Sequence, residues 1–115
     1  MPQFRALVVP VKQSLPVRFV TVSRTESARL LKDLIGGSWE EIVFASDVML
    51  MNAFAEETNL PVNPRAEEIA GWFATGLNWS GRVRGDVVFV GVDGEGRFVD
   101  VTEDDALEIK YAFDC

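Results

Sequence analysis

Apolar and polar positions along the chain change period several times, and each change marks an element. Phe4–Val9 and Val17–Val22 are rich in β-branched residues and alternate, which predicts two strands. In the second run Phe19 and Thr21 share one face, and Arg18, Val20 and Val22 share the other. Pro10 and Pro16 bound the connection, as expected of an edge or of a hairpin with a longer loop. Leu30, Leu31, Leu34 and Ile35 then recur at helical spacing. Ser23-Arg24-Thr25-Glu26 has the form of a capping box ahead of them, and Gly36-Gly37 supplies a left-handed stop. A helix over 24–35 follows.

Trp39–Ala45 reads as a strand, with Ile42 and Phe44 opposed to Glu41 and Val43. Asp47–Asn52 contains the run Val48-Met49-Leu50-Met51 and is expected as a buried strand; residues 53–62 are expected as a helical turn or loop. Asn63-Pro64 is a strong helix start. Asparagine caps, and proline suits the first helical position because its missing N–H would be unpaired there. Ala66, Ile69, Ala70, Phe73 and Leu77 form the stripe of a second helix, about 64–75, ended near Gly76. Gly85–Val92 and Gly96–Thr102 flank Asp93-Gly94, a hairpin signal. Leu107, Ile109, Tyr111 and Phe113 alternate with Glu108, Lys110, Ala112 and Asp114, which favours a last strand, and with it self-association through an exposed edge. The sum is a single compact α+β domain over 1–115. It has a mainly antiparallel or mixed sheet of five to seven strands and two main helices.

Size and composition agree. With 115 residues, 48% hydrophobic and 25% charged, the chain has the makeup of one folded domain. No apolar run reaches the roughly 18 residues of a membrane span. The segment Met1-Pro2-Gln3-Phe4-Arg5 lacks the features of a signal peptide. A cytoplasmic protein is expected. Cys115 has no second cysteine to pair with and is expected as a surface thiol. Histidine is absent, which removes the commonest general base and transition-metal ligand. No cofactor, metal or catalytic residue is expected.

The net charge is −7 and unevenly spread. Arg5, Lys12, Arg18 and Arg24 make the first 25 residues purely basic, whereas 26–70 and 92–115 each carry −6. So acidic a chain repels a phosphate backbone, against general nucleic-acid binding, unless the basic quarter is gathered on one face. The doublets Glu40-Glu41, Glu56-Glu57, Glu67-Glu68 and Asp104-Asp105 are explained by solvated faces and helix starts. The alternative is a negative surface for a basic partner, or a mimic of nucleic-acid phosphates.

Gly91-Val92-Asp93-Gly94-Glu95-Gly96 resembles a phosphate loop only superficially, since a strand follows it where a helix is needed. Arg65 is the sharper feature. It sits in the first turn of the second helix, where the dipole disfavours a cation. Either a carboxylate such as Glu68 compensates it, or Arg65, with Asn63 and the free amides of the helix start, forms an anion or partner site. Trp39 and Trp72 are expected in the core. Trp79 beside Arg82 and Arg84 has the composition of an exposed recognition patch.

Leu34-Ile35-Gly36-Gly37 with Glu41-Ile42-Val43, then Leu60-Pro61-Val62-Asn63-Pro64-Arg65-Ala66, then Gly85-Asp86-Val87-Val88 with Gly91, resemble in that order a domain-of-unknown-function family. Its small members are carried by bacteriophages, especially of actinobacteria, and by plasmids. The resemblance spans about residues 4–101 and carries no activity. It implies a phage accessory protein in the host cytoplasm; together with the acidic surface and the lack of a catalytic constellation, it makes a non-enzymatic protein that binds a host or phage protein the leading expectation. A DNA-mimic antagonist of a host DNA-binding or defence enzyme, and a small ligand-binding or enzymatic domain, are the alternatives. No membrane partner is expected, and a homodimer is compatible with the pattern.

Overall fold

The computed structural model describes residues 2–44, 47–73 and 82–113. Gly76, Leu77, Trp79 and Cys115 lie outside these described residues. Six strands, β1 (Gln3–Val9), β2 (Arg18–Ser23), β3 (Trp39–Phe44), β4 (Asp47–Asn52), β5 (Val87–Val92) and β6 (Phe98–Val99), form one antiparallel sheet. Its order is β2-β1-β5-β4-β3, with β6 against the end of β5. Three helices, α1 (Ser27–Ile35), α2 (Pro64–Phe73) and α3 (Glu103–Phe113), cover it.

Strand alternation divides the core in two. Phe4, Ala6, Val8, Val22, Val48, Leu50, Val88 and Val90 face α1, which contributes Leu31 and Ile35. Leu7, Val9, Phe44, Met49, Val87 and Phe89 face α2 and α3, which contribute Ala66, Ile69, Ala70, Ala106 and Ile109. The central strands are therefore apolar on both faces, as a sheet buried between helices requires. Gly91 is dictated by close approach, because a Cβ there would overlap the Asp100 carbonyl oxygen.

The α1 stop is as expected. Gly36 is left-handed at φ 92°, and the amides of Gly36 and Gly37 both donate to the Lys32 carbonyl. The capping box does not form. Arg24–Glu26 are a 3-10 turn, the Ser23 hydroxyl bonds Thr25 Oγ1, and Glu26 pairs with Arg29 at 2.9 Å. Arg24 is held from outside the helix, its amide on Pro2 O and its guanidinium on Phe98 O, so α1 starts one turn later.

The expected last strand is a helix, α3. Ala106, Ile109 and Phe113 lie at i, i+3 and i+7 and face the sheet, while Leu107 and Tyr111 are exposed. Two readings shared Ile109 and Phe113, and only packing separates them. The acids Glu103, Asp104 and Asp105 fill the first turn, where the helix dipole favours them. With this strand gone, the expected self-association through its edge goes too. Trp39 and Trp72 are half-buried at the margins of the core, Trp72 stacked on Phe113 with ring centres 5.7 Å apart. Among the described residues no helix is long and apolar enough to cross a membrane.

Candidate functional site

The motif Leu60–Ala66 is a structural hub. Asn63 is fully buried. Its Oδ1 accepts from the Ala66 amide at 3.0 Å, which is the expected cap. Its Nδ2 donates to Val9 O at 3.0 Å and to Gly85 O at 2.9 Å, joining the end of β1 and the approach to β5 to the start of α2. Backbone bonds run alongside, from Asn63 N to Val83 O and from Gly85 N to Pro61 O.

Arg65 is 7% exposed and its charge meets carbonyls. Its guanidinium donates to Pro10 O at 2.6 Å, Leu15 O at 2.9 Å and Lys12 O at 3.1 Å. The expected carboxylate, Glu68 or another acid, does not pair with it among the described residues. The carbonyl dipoles of the β1–β2 loop meet the charge. Its Nε is buried without an acceptor. Asn63 and Arg65 thus hold the fold together at the place where sequence reasoning offered them as a partner site.

Arg82 and Arg84 do come together with other charged groups. They line a cleft of about 440 Å³ with Glu40, Ile42, Met51, Glu56 and Glu57. Arg82 is exposed and lies 3.8 Å from Glu67. Arg84 donates to Leu60 O at 2.8 Å. Trp79, their expected companion, is outside the described residues.

The floor of this cleft borders β3, which sequence reasoning did not single out. β3 pairs residue for residue with β4, from Trp39 opposite Asn52 to Phe44 opposite Asp47, with no bulge. Among the described residues it has no strand on its other side, so its outward N–H and C=O groups are free for a further strand. Glu40 and Ile42 point toward the cleft. Trp39, Glu41 and Val43 point to the α1 face, where Val43 is 59% exposed. Proteins commonly protect such edges with lysine, proline, a bulge or short length. The opposite edge, β2, carries Arg18 and follows Pro16; β3 has no lysine, proline or bulge, and its charges are Glu40 and Glu41.

The basic quarter is not gathered on one face. Arg5 lies over the Phe19 ring at 4.1 Å on the α3 side, Arg18 points to the other face, and Arg24 is engaged with Phe98 O and the Phe4 ring. The acids are also dispersed, and several serve the chain's own backbone. Asp86 accepts from Val11 N, Asp100 from Arg5 N, Glu67 from Val83 N, and Asp93 from Glu95 N and Arg97 N within the hairpin turn. That dispersal draws support away from an ordered mimic of phosphates.

One pair of carboxyls does converge. Asp47 is buried, and its Oδ1 accepts from Thr102 N at 3.0 Å and Thr102 Oγ1 at 2.8 Å. Its Oδ2 is buried without a hydrogen-bond partner among the described residues, beside the Asp105 carboxyl. The bond that protonated Asp105 makes to Asp47, then burial, then the charges of Asp47, Glu108 and Asp104 push Asp105 up to about 7 from its usual 3.8. None of the three main clefts is lined by either residue, so the pair pins α3 to β4. Between these two pKa values the folded state holds a proton that the unfolded chain releases. The stabilisation is complete below the unfolded value and is lost as pH rises through 7. The urea midpoint is expected to fall across that interval. Asp105→Asn, whose amide donates without titrating, is expected to flatten the fall; an equally steep fall in the variant would refute the assignment.

No curated protein matches the chain significantly in sequence. Among solved structures, the crystal structure of small RNA methyltransferase HEN1 is similar, with a TM-score of 0.59 at 14% identity over 93% of this chain. The match covers 16% of that chain, and at this identity the likeness is one of fold alone. The family model described as a domain of unknown function, DUF3846, matches residues 4–114, and this protein belongs to that family.

Proposed function

We propose that this protein is a non-enzymatic accessory protein of a phage, acting in the host cytoplasm by binding a host or phage protein at the outer edge of β3. The observation that carries the reading is that edge: six residues in regular register, with Val43 exposed and a mixed-charge cleft alongside. An extended segment added there gains main-chain hydrogen bonds along its length and sockets for alternate side chains. The phage context comes from the resemblance of the Leu60–Ala66 segment and its flanking motifs. The hub residues Asn63 and Arg65 are consistent with this division of labour, because they stabilise the scaffold and leave recognition to the edge.

Val43→Lys tests the reading. Val43 is solvent-exposed, so its replacement is expected to change folding stability by no more than about 0.5 kcal/mol. A lysine on an edge strand opposes strand addition. Tagged protein is expected to retain a specific partner from host or phage-infected lysate, and the variant to lose it. Undiminished recovery by the variant, or no partner above background for the wild type, counts against the proposal.

A further inference from the structure

The chain segment that carries β3 is acidic, although Arg82 and Arg84 also line the cleft beside it. Between Lys32 and Arg65 the chain contains six acids, Asp33, Glu40, Glu41, Asp47, Glu56 and Glu57, and no base. Neighbours in a strand point to opposite faces. Glu40 therefore stands on the cleft side of the edge and Glu41 on the α1 side, so a strand added to β3 meets a carboxylate on each face. Glu56 and Glu57 extend the acidic rim of the cleft. Of the two bases that line the cleft, Arg82 has Glu67 beside it and Arg84 donates to Leu60 O.

We infer that the partner at the β3 edge is an extended protein segment that sets two adjacent lysines or arginines against Glu40-Glu41 and two adjacent apolar residues against Ile42-Val43; this rests on the edge being the docking site. Opposite charges across a strand pair stabilise it and like charges destabilise it. A basic residue on either face of the incoming strand finds Glu40 or Glu41. Its apolar residues find Val43 on one face and Ile42 at the cleft floor on the other. The same rule disfavours a second copy of this chain. Two β3 strands side by side bring four carboxylates together, with no base on either strand.

The test uses the full chain, isotopically labelled, and synthetic peptides of about eight residues, near the usual length of a strand. One repeats Lys-Lys-Val-Val, one Thr-Thr-Val-Val and one Glu-Glu-Val-Val, so that both faces of the added strand carry the residue under test. Affinity is read by titration, and the site by amide exchange of Trp39–Phe44. The lysine peptide is expected to bind up to roughly tenfold more tightly than the threonine peptide, as two favourable cross-strand pairs imply. It is expected to slow exchange along β3, and the glutamate peptide is expected not to bind. The advantage is expected to disappear in the double variant Glu40→Gln, Glu41→Gln, whose thermal unfolding serves as the folding control, and to shrink as salt rises. Equal binding of the lysine and threonine peptides, with β3 protected, would overturn the basic partner while leaving edge docking in place. No protection of β3 by any peptide would overturn both. A dimer in solution that Val43→Lys dissociates would also overturn both, because the edge would then belong to a second copy.

Discussion

Replacing Asn63 by alanine is expected to cost about 3–5 kcal/mol of folding stability. Three hydrogen bonds converge on this fully buried side chain, and they fail in two different ways. Loss of the cap to Ala66 N removes about 0.5–2 kcal/mol. Loss of Nδ2 leaves the Val9 and Gly85 carbonyls without this donor, at about 1–3 kcal/mol for each group left unpaired inside. Native stabilities are about 5–15 kcal/mol, so a loss of this size is a large fraction of the whole. Asn63→Asp separates the two contributions. It keeps an oxygen to cap Ala66 N, and sets a second oxygen against two carbonyls. It is expected to be at least as damaging as alanine, measured as a lower urea midpoint at unchanged slope. An aspartate variant as stable as the wild type would show that the residue is a cap and nothing more.

Arg65→Met is expected to cost about 3 kcal/mol. Methionine retains much of the stem packing, so the loss reports the three charged bonds to Pro10, Lys12 and Leu15 carbonyls. Lysine is expected to recover only part of it, because one ammonium cannot reproduce a planar fork that spans three acceptors. The effect has a location as well as a size. Amide exchange at Val11 and Leu15, in the loop that Arg65 gathers, is expected to quicken before exchange in the sheet does. A double-mutant cycle with Glu68→Gln is expected to show no coupling beyond about 0.5 kcal/mol. Strong coupling would restore the carboxylate partner that the helix dipole argument suggests and would contradict the carbonyl cage.

These two residues show where local reasoning stops. Asn63 was legible as a cap, because a cap is made with an amide three positions on. Its second role was not, since Val9 and Gly85 lie 54 and 22 positions away. Arg65 was legible as an anomaly, a cation at a helix start, but the expected carboxylate does not pair with it among the described residues. Its acceptors are main-chain carbonyls 50–55 positions earlier, and carbonyls leave no trace in residue type. The candidate site divided similarly. Arg82 and Arg84 were picked out by composition and do line a cleft. β3 was read correctly as a strand, but nothing in Trp39–Phe44 announces that it ends the sheet. The lack of lysine and proline in it carries meaning only once its edge position is known.

The sequence by itself determined the α+β class, the β1–β2 and β5–β6 hairpins, β4, the Gly36 stop of α1 and the Asn63-Pro64 start of α2. All of these rest on side-chain period or on bonds spanning a few residues. Tertiary structure decided the rest. It chose helix over strand for Glu103–Phe113, because Ala106 and Ile109 find the sheet and Asp47 holds Thr102 and Asp105. It replaced the expected capping box with contacts from Pro2 and Phe98. It set the order that leaves β3 outermost. In each case the deciding partner comes from a distant part of the chain, and neither local propensity nor period encodes which distant group will be there.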